Sequence, residues 1–270
     1  MKGNDEIMNQ KNIVKVIPCL DVHNGRVVKG IQFENLKDAG DPAELAAFYD
    51  REGADEIVLL DISATVEGRH TMLDVVRRTA KRVSKPFIIG GGMGSIEDIE
   101  RVLDAGADKI SLNTAAVRNP DLLAQAAQKF GSQHIIAAID VLRSGDSTES
   151  DQKAQSWKVV VSGGHESTDW DVVEWARRVE KLGAGEILLT SKDRDGTEDG
   201  YDNDLNRQVS ESVDIGVVAS GGAGKLQHFV DAVRLGGVRA VLAASVFHFA
   251  TFSIRGVKEY LADHGVEVHL

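Results

Sequence analysis

A single cysteine, Cys19, excludes a disulfide framework within this chain of 270 residues, and a lone thiol fits a reducing cytoplasm. No apolar run approaches the ~18 residues of a membrane-spanning helix. The opening MKGNDEIMNQKN is polar and partly acidic, without the apolar stretch of a secretion signal. Residues 1–12 therefore read as a disordered leader and 13–270 as one domain. A cationic surplus is missing as well: the formal net charge is −11, which argues against non-specific binding to nucleic acid or a membrane surface. Any anionic ligand has to be held by local donors, because the overall field repels it. Metal and dinucleotide signatures are lacking too. His23, His165, His228 and His248 have no ligand spacing, there is no HExxH or Cys/His cluster, and GGGMGS lacks the GxGxxG spacing. Neither metal nor cofactor is expected, and Cys19 reads as a packed strand residue rather than a nucleophile.

What the chain does have is an alternation of short, β-branched apolar runs with helical patterns. Strands are expected at 14–20, 56–61, 86–89, 109–112, 134–140, 186–190, 216–219 and 240–243. Helices are expected at 42–52, 71–83, 96–105, 120–130, 170–182, 226–235 and 253–264, with a weaker one at 202–212. Asp41 and Ser95 are placed to cap helix starts; Gly53, Gly106 and Gly183 follow helix ends. Strand–helix alternation implies right-handed βαβ units and a parallel sheet covered on both faces. An open doubly wound sheet uses the same units, and a single barrel of this type takes about 250 residues.

An internal repeat favours the barrel. GADEIVLLD begins at Gly53 and GAGEILLTS at Gly183, an offset of 183 − 53 = 130; GGGMGSIEDI at Gly90 and SGGAGKLQHF at Ser220 differ by 220 − 90 = 130; GADKISLNTA at Gly106 and GGVRAVLAAS at Gly236 again by 236 − 106 = 130. Asp21 and Asp140 each end an apolar strand, at the smaller offset 140 − 21 = 119, so the first half carries a longer loop, over 22–40. Two four-strand halves closing about a pseudo-two-fold axis make an α/β fold of the (β/α)₈-barrel type, with a half-barrel repeat. The polar stretch 143–155 reads as a loop and 157–161 as a short strand, both after the fifth barrel strand.

In such a barrel, chemistry gathers at the carboxyl ends of the strands. Asp21, Asp61, Gly91, Gly92, Asn113, Thr114, Asp140, Thr190, Gly221, Gly222, Ala244 and Ser245 fall there. Glycines at a strand-to-helix turn expose backbone N–H groups to an anion, although one such turn alone needs only glycine's tolerance of positive φ. Two related by the repeat favour paired phosphate cradles, one after the third and fourth strands and one after the seventh and eighth. That arrangement suits an elongated bisphosphate. Asp21 and Asp140, facing each other across the mouth, can act as acid and base if their environments hold different protonation states. An isolated Asp at a strand end is more often a turn residue; the repeat favours catalysis. Asp195 and Gly196, in the charged loop after the sixth strand, are placed to fold over a ligand. GRVVKG (25–30), carrying Lys29, reads as a mobile lid or a surface hairpin. At the opposite end Lys15, Glu56, Lys109 and Glu186 alternate in sign near strand starts, a pattern for a ring of ion pairs.

PCLDV, GRVVKG, GDPAELA, FIIGGG, GADKISLNTAAV, FGSQHIIAAID, GAGEILLTSKDRDGT, ASGGAGK and LAASVFHF together resemble the cyclase subunits of imidazole glycerol phosphate synthases, from histidine biosynthesis, over essentially 14–270. The resemblance implies a cytoplasmic lyase working as a heterodimer with a glutaminase subunit. Ammonia from that partner would convert phosphoribulosyl formimino aminoimidazole carboxamide ribonucleotide into imidazole glycerol phosphate and aminoimidazole carboxamide ribonucleotide. It places the catalytic carboxylates on Asp21 and Asp140. Phosphate binding falls on Gly92, Asn113 and Thr114 at one end and on Gly222, Ala244 and Ser245 at the other; the flexible-loop lysine falls on Lys29, and Asp195 and Gly196 match the loop after the sixth strand. It also turns the ring of Lys15, Glu56, Lys109 and Glu186 into an ammonia gate, with Lys15 standing where the family usually has arginine. Gln32 stands in place of asparagine, and HESTDWD (165–171) departs from a basic, glycine-containing loop. The related isomerase of aminoimidazole carboxamide ribotide shares fold, repeat and paired aspartates; LNTAAV and LAASVFHF favour the cyclase. A non-catalytic phosphosugar-binding barrel is a third reading, opposed by retention of both aspartates.

Overall fold

The computed structural model describes residues 13–31, 34–62, 64, 71–144 and 156–270. In chain order its strands are β1 (Lys15–His23), β2 (Arg26–Ile31), β3 (Glu34–Gly40), β4 (Ile57–Asp61), β5 (Phe87–Gly90), β6 (Lys109–Leu112), β7 (Ile135–Arg143), β8 (Trp157–Val161), β9 (Glu166–Asp171), β10 (Glu186–Ser191), β11 (Gly216–Ser220) and β12 (Ala240–Ala243). Eight of them pair in parallel, in the order β1, β4, β5, β6, β7, β10, β11, β12, and β12 returns to β1. The sheet is therefore a closed (β/α)₈ barrel. β1 shows how closure is achieved: its first half, Lys15–Pro18, pairs with β12, and its second half, Cys19–Val22, pairs with β4. That stagger is the register shift a tilted barrel requires.

The helices α1 (Pro42–Arg51), α2 (Leu73–Ala80), α3 (Ile96–Asp104), α4 (Thr114–Arg118), α5 (Pro120–Phe130), α6 (Val172–Lys181), α7 (Asn203–Ser210), α8 (Leu226–Arg234), α9 (Ser245–His248) and α10 (Ile254–Asp263) follow the strands. Asp41 caps α1 by accepting from the N–H groups of Ala43 and Glu44, and Ser95 caps α3 by accepting from that of Asp98, as sequence expected. Among the described residues no helix is long and apolar enough to cross a membrane.

Strand alternation splits the apolar residues into two cores. Outward side chains such as Val16, Leu20, Ile57, Leu59, Phe87 and Ile89 pack beneath the helices. Inward ones form a separate cluster: Ile17 and Cys19 with Val58, Ile88, Ile136, Leu188, Val218, Ala240 and Leu242. The barrel interior is thus a filled plug with one or two apolar residues from every barrel strand except β6, each fully buried aliphatic contributing about 1.5–3 kcal/mol. The segments repeated at 130 residues occupy equivalent places: β4 and β10, β5–α3 and β11–α8, β6–α4 and β12–α9.

Two segments depart most from expectation. The stretch 22–40 is not a loop: β1 continues to His23, turns at Asn24-Gly25, and returns as β2, which pairs with β3. Asn24 and Gly25 both have positive φ (49° and 76°) and join the strands in two residues, the geometry that Asn-Gly favours in a tight hairpin. GRVVKG accordingly takes the hairpin form of its two readings, with Val27 and Val28 buried. HESTDWD forms β9, antiparallel to β8, so α6 begins at Val172, where Asp171 accepts from Val173 and Glu174. The leader at 1–12, Gln32 and most of the expected loop at 143–155 lie outside the described residues.

Candidate active site at the carboxyl ends of the strands

One cavity of about 800 Å³ opens at the carboxyl end of the barrel. The sequence-expected site residues Asp21, Gly91, Gly92, Asn113, Thr114, Asp140, Thr190, Asp195, Gly196, Gly221, Gly222, Ala244 and Ser245 all line it. Lys29 lies on β2, but its side chain is outside the described residues.

Alternation along the strands explains which groups arrive there. On β1 the inward positions are Cys19, Asp21 and His23; on β7 they are Ala138 and Asp140. β1 and β7 are four strands apart either way around the barrel, so the two aspartates approach the cavity from opposite walls. Asp21 is only 5% exposed, and the Cys19 thiol lies 3.6 Å from its Oδ1 as a weak donor. Asp140 accepts from Asn113 Nδ2 at 2.9 Å and from the Thr190 hydroxyl. Burial pushes the Asp140 carboxyl above the ordinary carboxylate range. The Lys192 cation and the bonds from Thr190 and Asn113 pull the other way, Asp195 adds to the rise, and the net direction is upward.

The glycine turns are dictated by close backbone approach. Gly92 has φ +71°, and a Cβ there would lie 2.6 Å from Thr71 N and 2.8 Å from Ala64 Cβ. Its repeat partner Gly222 has φ +105°, and a Cβ would run into the carbonyl oxygen of Gly200. No side chain fits either place, so backbone faces the cavity on both sides. Thr114 Oγ1 accepts from Ser162 N at 2.9 Å, and Asn113 directs its amide to Asp140 rather than standing free. Ser245 opens α9. Asp61 is buried and accepts from Ala64 N at 3.1 Å, shaping the turn after β4.

Two charged groups on this wall were not singled out from the sequence. Lys192 follows β10 and is 8% exposed; its Nζ stands 3.7 Å from Asp195 Oδ2. Arg118, on the rim, donates to Ser162 Oγ at 3.2 Å and to Glu166 Oε2 at 2.7 Å. Leu188, Thr190 and Lys192 share the inward face at a spacing of two, and that periodicity was the available signal for Lys192.

At the opposite end the four alternating charges form a closed ring. Lys15 Nζ contacts Glu56 Oε1 at 3.0 Å and Glu186 Oε1 at 2.6 Å; Lys109 Nζ contacts the same Glu56 oxygen at 2.8 Å and Glu186 Oε2 at 3.5 Å. Burial pulls the Lys15 ammonium down, but attraction to Glu186 and Glu56 outweighs it and the net direction is up. The ring lies beneath the inner apolar plug and across the barrel from the cavity.

The chemistry the cavity supports is proton transfer between two opposed carboxyl groups, with backbone N–H turns on either side to hold an extended anion. Compared with known families, the chain matches the one described as "Histidine biosynthesis protein" over residues 15–253, from the first residue of β1 to the cap of α10.

Proposed function

The chain belongs to the histidine biosynthesis protein family, and from that premise we propose that it is the cyclase subunit of an imidazole glycerol phosphate synthase. In this reading ammonia, supplied by a glutaminase subunit in a heterodimer, adds to phosphoribulosyl formimino aminoimidazole carboxamide ribonucleotide. The products are imidazole glycerol phosphate and aminoimidazole carboxamide ribonucleotide, and the chain is a lyase.

The observation that carries the proposal is the opposition of Asp21 and Asp140 across one cavity. Addition of ammonia requires a proton to leave the nitrogen, and release of the ribonucleotide requires one to reach the departing nitrogen. Asp140, held above the ordinary carboxylate range by burial, is suited to deliver a proton, and Asp21 to accept one. The substrate's phosphates would lie at Gly91, Gly92, Asn113 and Thr114 on one side and at Gly221, Gly222, Ala244 and Ser245 on the other. Thr190, Asp195, Gly196 and Lys29 would close around its middle. In a protein of net charge −11, backbone N–H groups supply the local attraction the overall field does not.

The related isomerase would use the same pair of aspartates. What supports the cyclase is the pair of segments LNTAAV and LAASVFHF; in this reading the ring of Lys15, Glu56, Lys109 and Glu186 at the barrel floor would serve as a polar gate for ammonia. The test offers the bisphosphate substrate with ammonia, or with glutamine with and without the glutaminase. Turnover with ammonia by this chain alone, and with glutamine only beside the glutaminase, is expected. Isomerisation of the precursor without ammonia-dependent turnover would assign the isomerase instead.

A further inference from the structure

The same wall holds a cation that the reaction scheme above leaves unused. Lys192 is placed by the barrel ladder itself: its backbone N–H donates to Val141 O at 2.9 Å, one step beyond the pairing of Thr190 with Asp140 and Ser191 with Val141. Strand alternation then puts Leu188, Thr190 and Lys192 on one inward face, and all three line the cavity. Gly164 lies against the stem: a Cβ built there would lie 3.0 Å from Lys192 Cε and 3.8 Å from Cγ. A side chain at 164 would crowd it. The result is a lysine only 8% exposed, paired with Asp195 at 3.7 Å and next to the Asp140 strand. A buried lysine costs free energy unless a carboxylate partner repays it. Two carboxylates on the same wall, Asp140 and Asp195, would repel each other without it.

We propose that Lys192 is a positioning residue that acts through Asp140: it is the counter-cation shared by Asp140 and Asp195 that leaves the Asp140 carboxyl able to release its proton inside the cavity. Among the described residues the groups facing Asp140 are Asn113 from the end of β6, Thr190 from β10, and Lys192 and Asp195 from the loop after β10, with Asp21 across the cavity on β1. Lys192 is the cation in that described set. An acid that serves in every turnover must lose its proton as well as gain it. Burial and Asp195 both oppose the ionised form, and the ammonium offsets them.

The proposal rests on the acid–base role of Asp140, so its test carries a readout independent of which reaction the chain performs. The Asp140 carboxyl is followed by carbon NMR in aspartate-labelled protein, assigned with Asp140→Asn, across a pH titration of the wild type, Lys192→Met and Lys192→Met/Asp195→Asn. Methionine keeps the length of the stem without the charge. Lys192→Met is expected to move the Asp140 titration up by about one pH unit or more. The double variant is expected to bring it part of the way back, because the repelling carboxylate is gone. In turnover, whichever limb of the kcat/KM profile disappears from its place in Asp140→Asn should shift upward in Lys192→Met, with KM near that of the wild type. An Asp140 titration that stays where it is in folded Lys192→Met overturns the proposal. So does a loss confined to KM, which would make Lys192 a substrate contact. Loss of turnover in the wild type overturns the cyclase reading and leaves the NMR result to judge Lys192 alone.

Discussion

Asn113 Nδ2 donates to Asp140 Oδ2 at 2.9 Å, tying the end of β6 to the candidate acid on β7. The bond fixes the carboxyl's orientation and favours its ionised form. A single hydrogen bond to a charged group contributes about 1.5–3 kcal/mol. Asn113→Ala should therefore lower kcat about tenfold or more and move the Asp140 limb of the pH profile upward. Steady-state kinetics across pH checks both, and a change in KM alone would place the residue at the phosphate instead.

Asp140 should also be a stability liability. Its folded carboxyl lies above the ordinary value of 3.8 because burial disfavours the charge. A raised acid favours the fold only while protonated: that contribution is complete below the ordinary value and is lost as the pH rises through the folded one. At neutral pH the ionised group therefore works against folding. Asp140→Asn should raise stability by about 0.5–2 kcal/mol at neutral pH, with turnover down at least about a hundredfold. The stability gain should vanish near pH 3.8. Thermal unfolding at the two pH values measures it, and an equal gain at both would mean that charge is not its origin.

Much of this was legible because period and repeat are properties of the chain itself. The strand at 109–112 and the helix at 120–130 coincide with β6 and α5, where apolar runs are bounded by glycine and proline. Asp21 and Asp140 stood out because each ends a strand in related halves. What escaped was decided by pairing between strands. A hairpin was one of the two readings of 25–30 and is what forms, but the extent of its arms was absorbed into a long loop over 22–40, since β2 and β3 are too polar to read as buried strands. β9 has no buried residue, so no apolar alternation marks it. Lys192 looked like one more charge in a charged loop; its spacing of two from Thr190 counts as a signal once the ladder is seen to continue to Val141. The bond from Asn113 to Asp140 escaped as well, because a strand-end position does not say which neighbour a side-chain amide meets.

The paired turns should resist any side chain. At Gly222 a methyl group meets both the strain of φ +105° and the carbonyl of Gly200; at Gly92 it meets Thr71 N at 2.6 Å with φ +71°. Backbone has to move in both cases. Gly92→Ala and Gly222→Ala should each cost about 2 kcal/mol or more in folding free energy and raise KM for a bisphosphate more than they lower kcat. Denaturant titration and kinetics on the same preparations test this. Unchanged KM would mean that these turns serve packing alone.

The floor ring predicts an alkaline signature. Lys15 carries a side chain that is 25% exposed, against 7% for Glu56 and 12% for Glu186, so its attraction is only partly screened. Lys15→Met leaves two acids to Lys109 and should cost about 1–3 kcal/mol at neutral pH, less than the rupture of a fully buried pair. The Lys15 ammonium lies above its ordinary value of 10.5, since Glu186 and Glu56 outweigh the opposing effect of burial. For a base, a raised folded value contributes stability that is complete below the ordinary one and is lost as the pH climbs through the folded one. The difference between wild type and Lys15→Met should thus hold steady up to pH 10.5 and shrink above it, as the wild type alone gives up that proton. Urea midpoints measured on both sides of that pH decide the matter. A gap that persists in alkali would mean the lysine contributes through its packed stem rather than its charge. Ammonia-dependent turnover in Lys15→Met should change separately from stability if the ring also gates entry, because Lys109 still bridges Glu56 and Glu186 while the Lys15 side of the ring stands open.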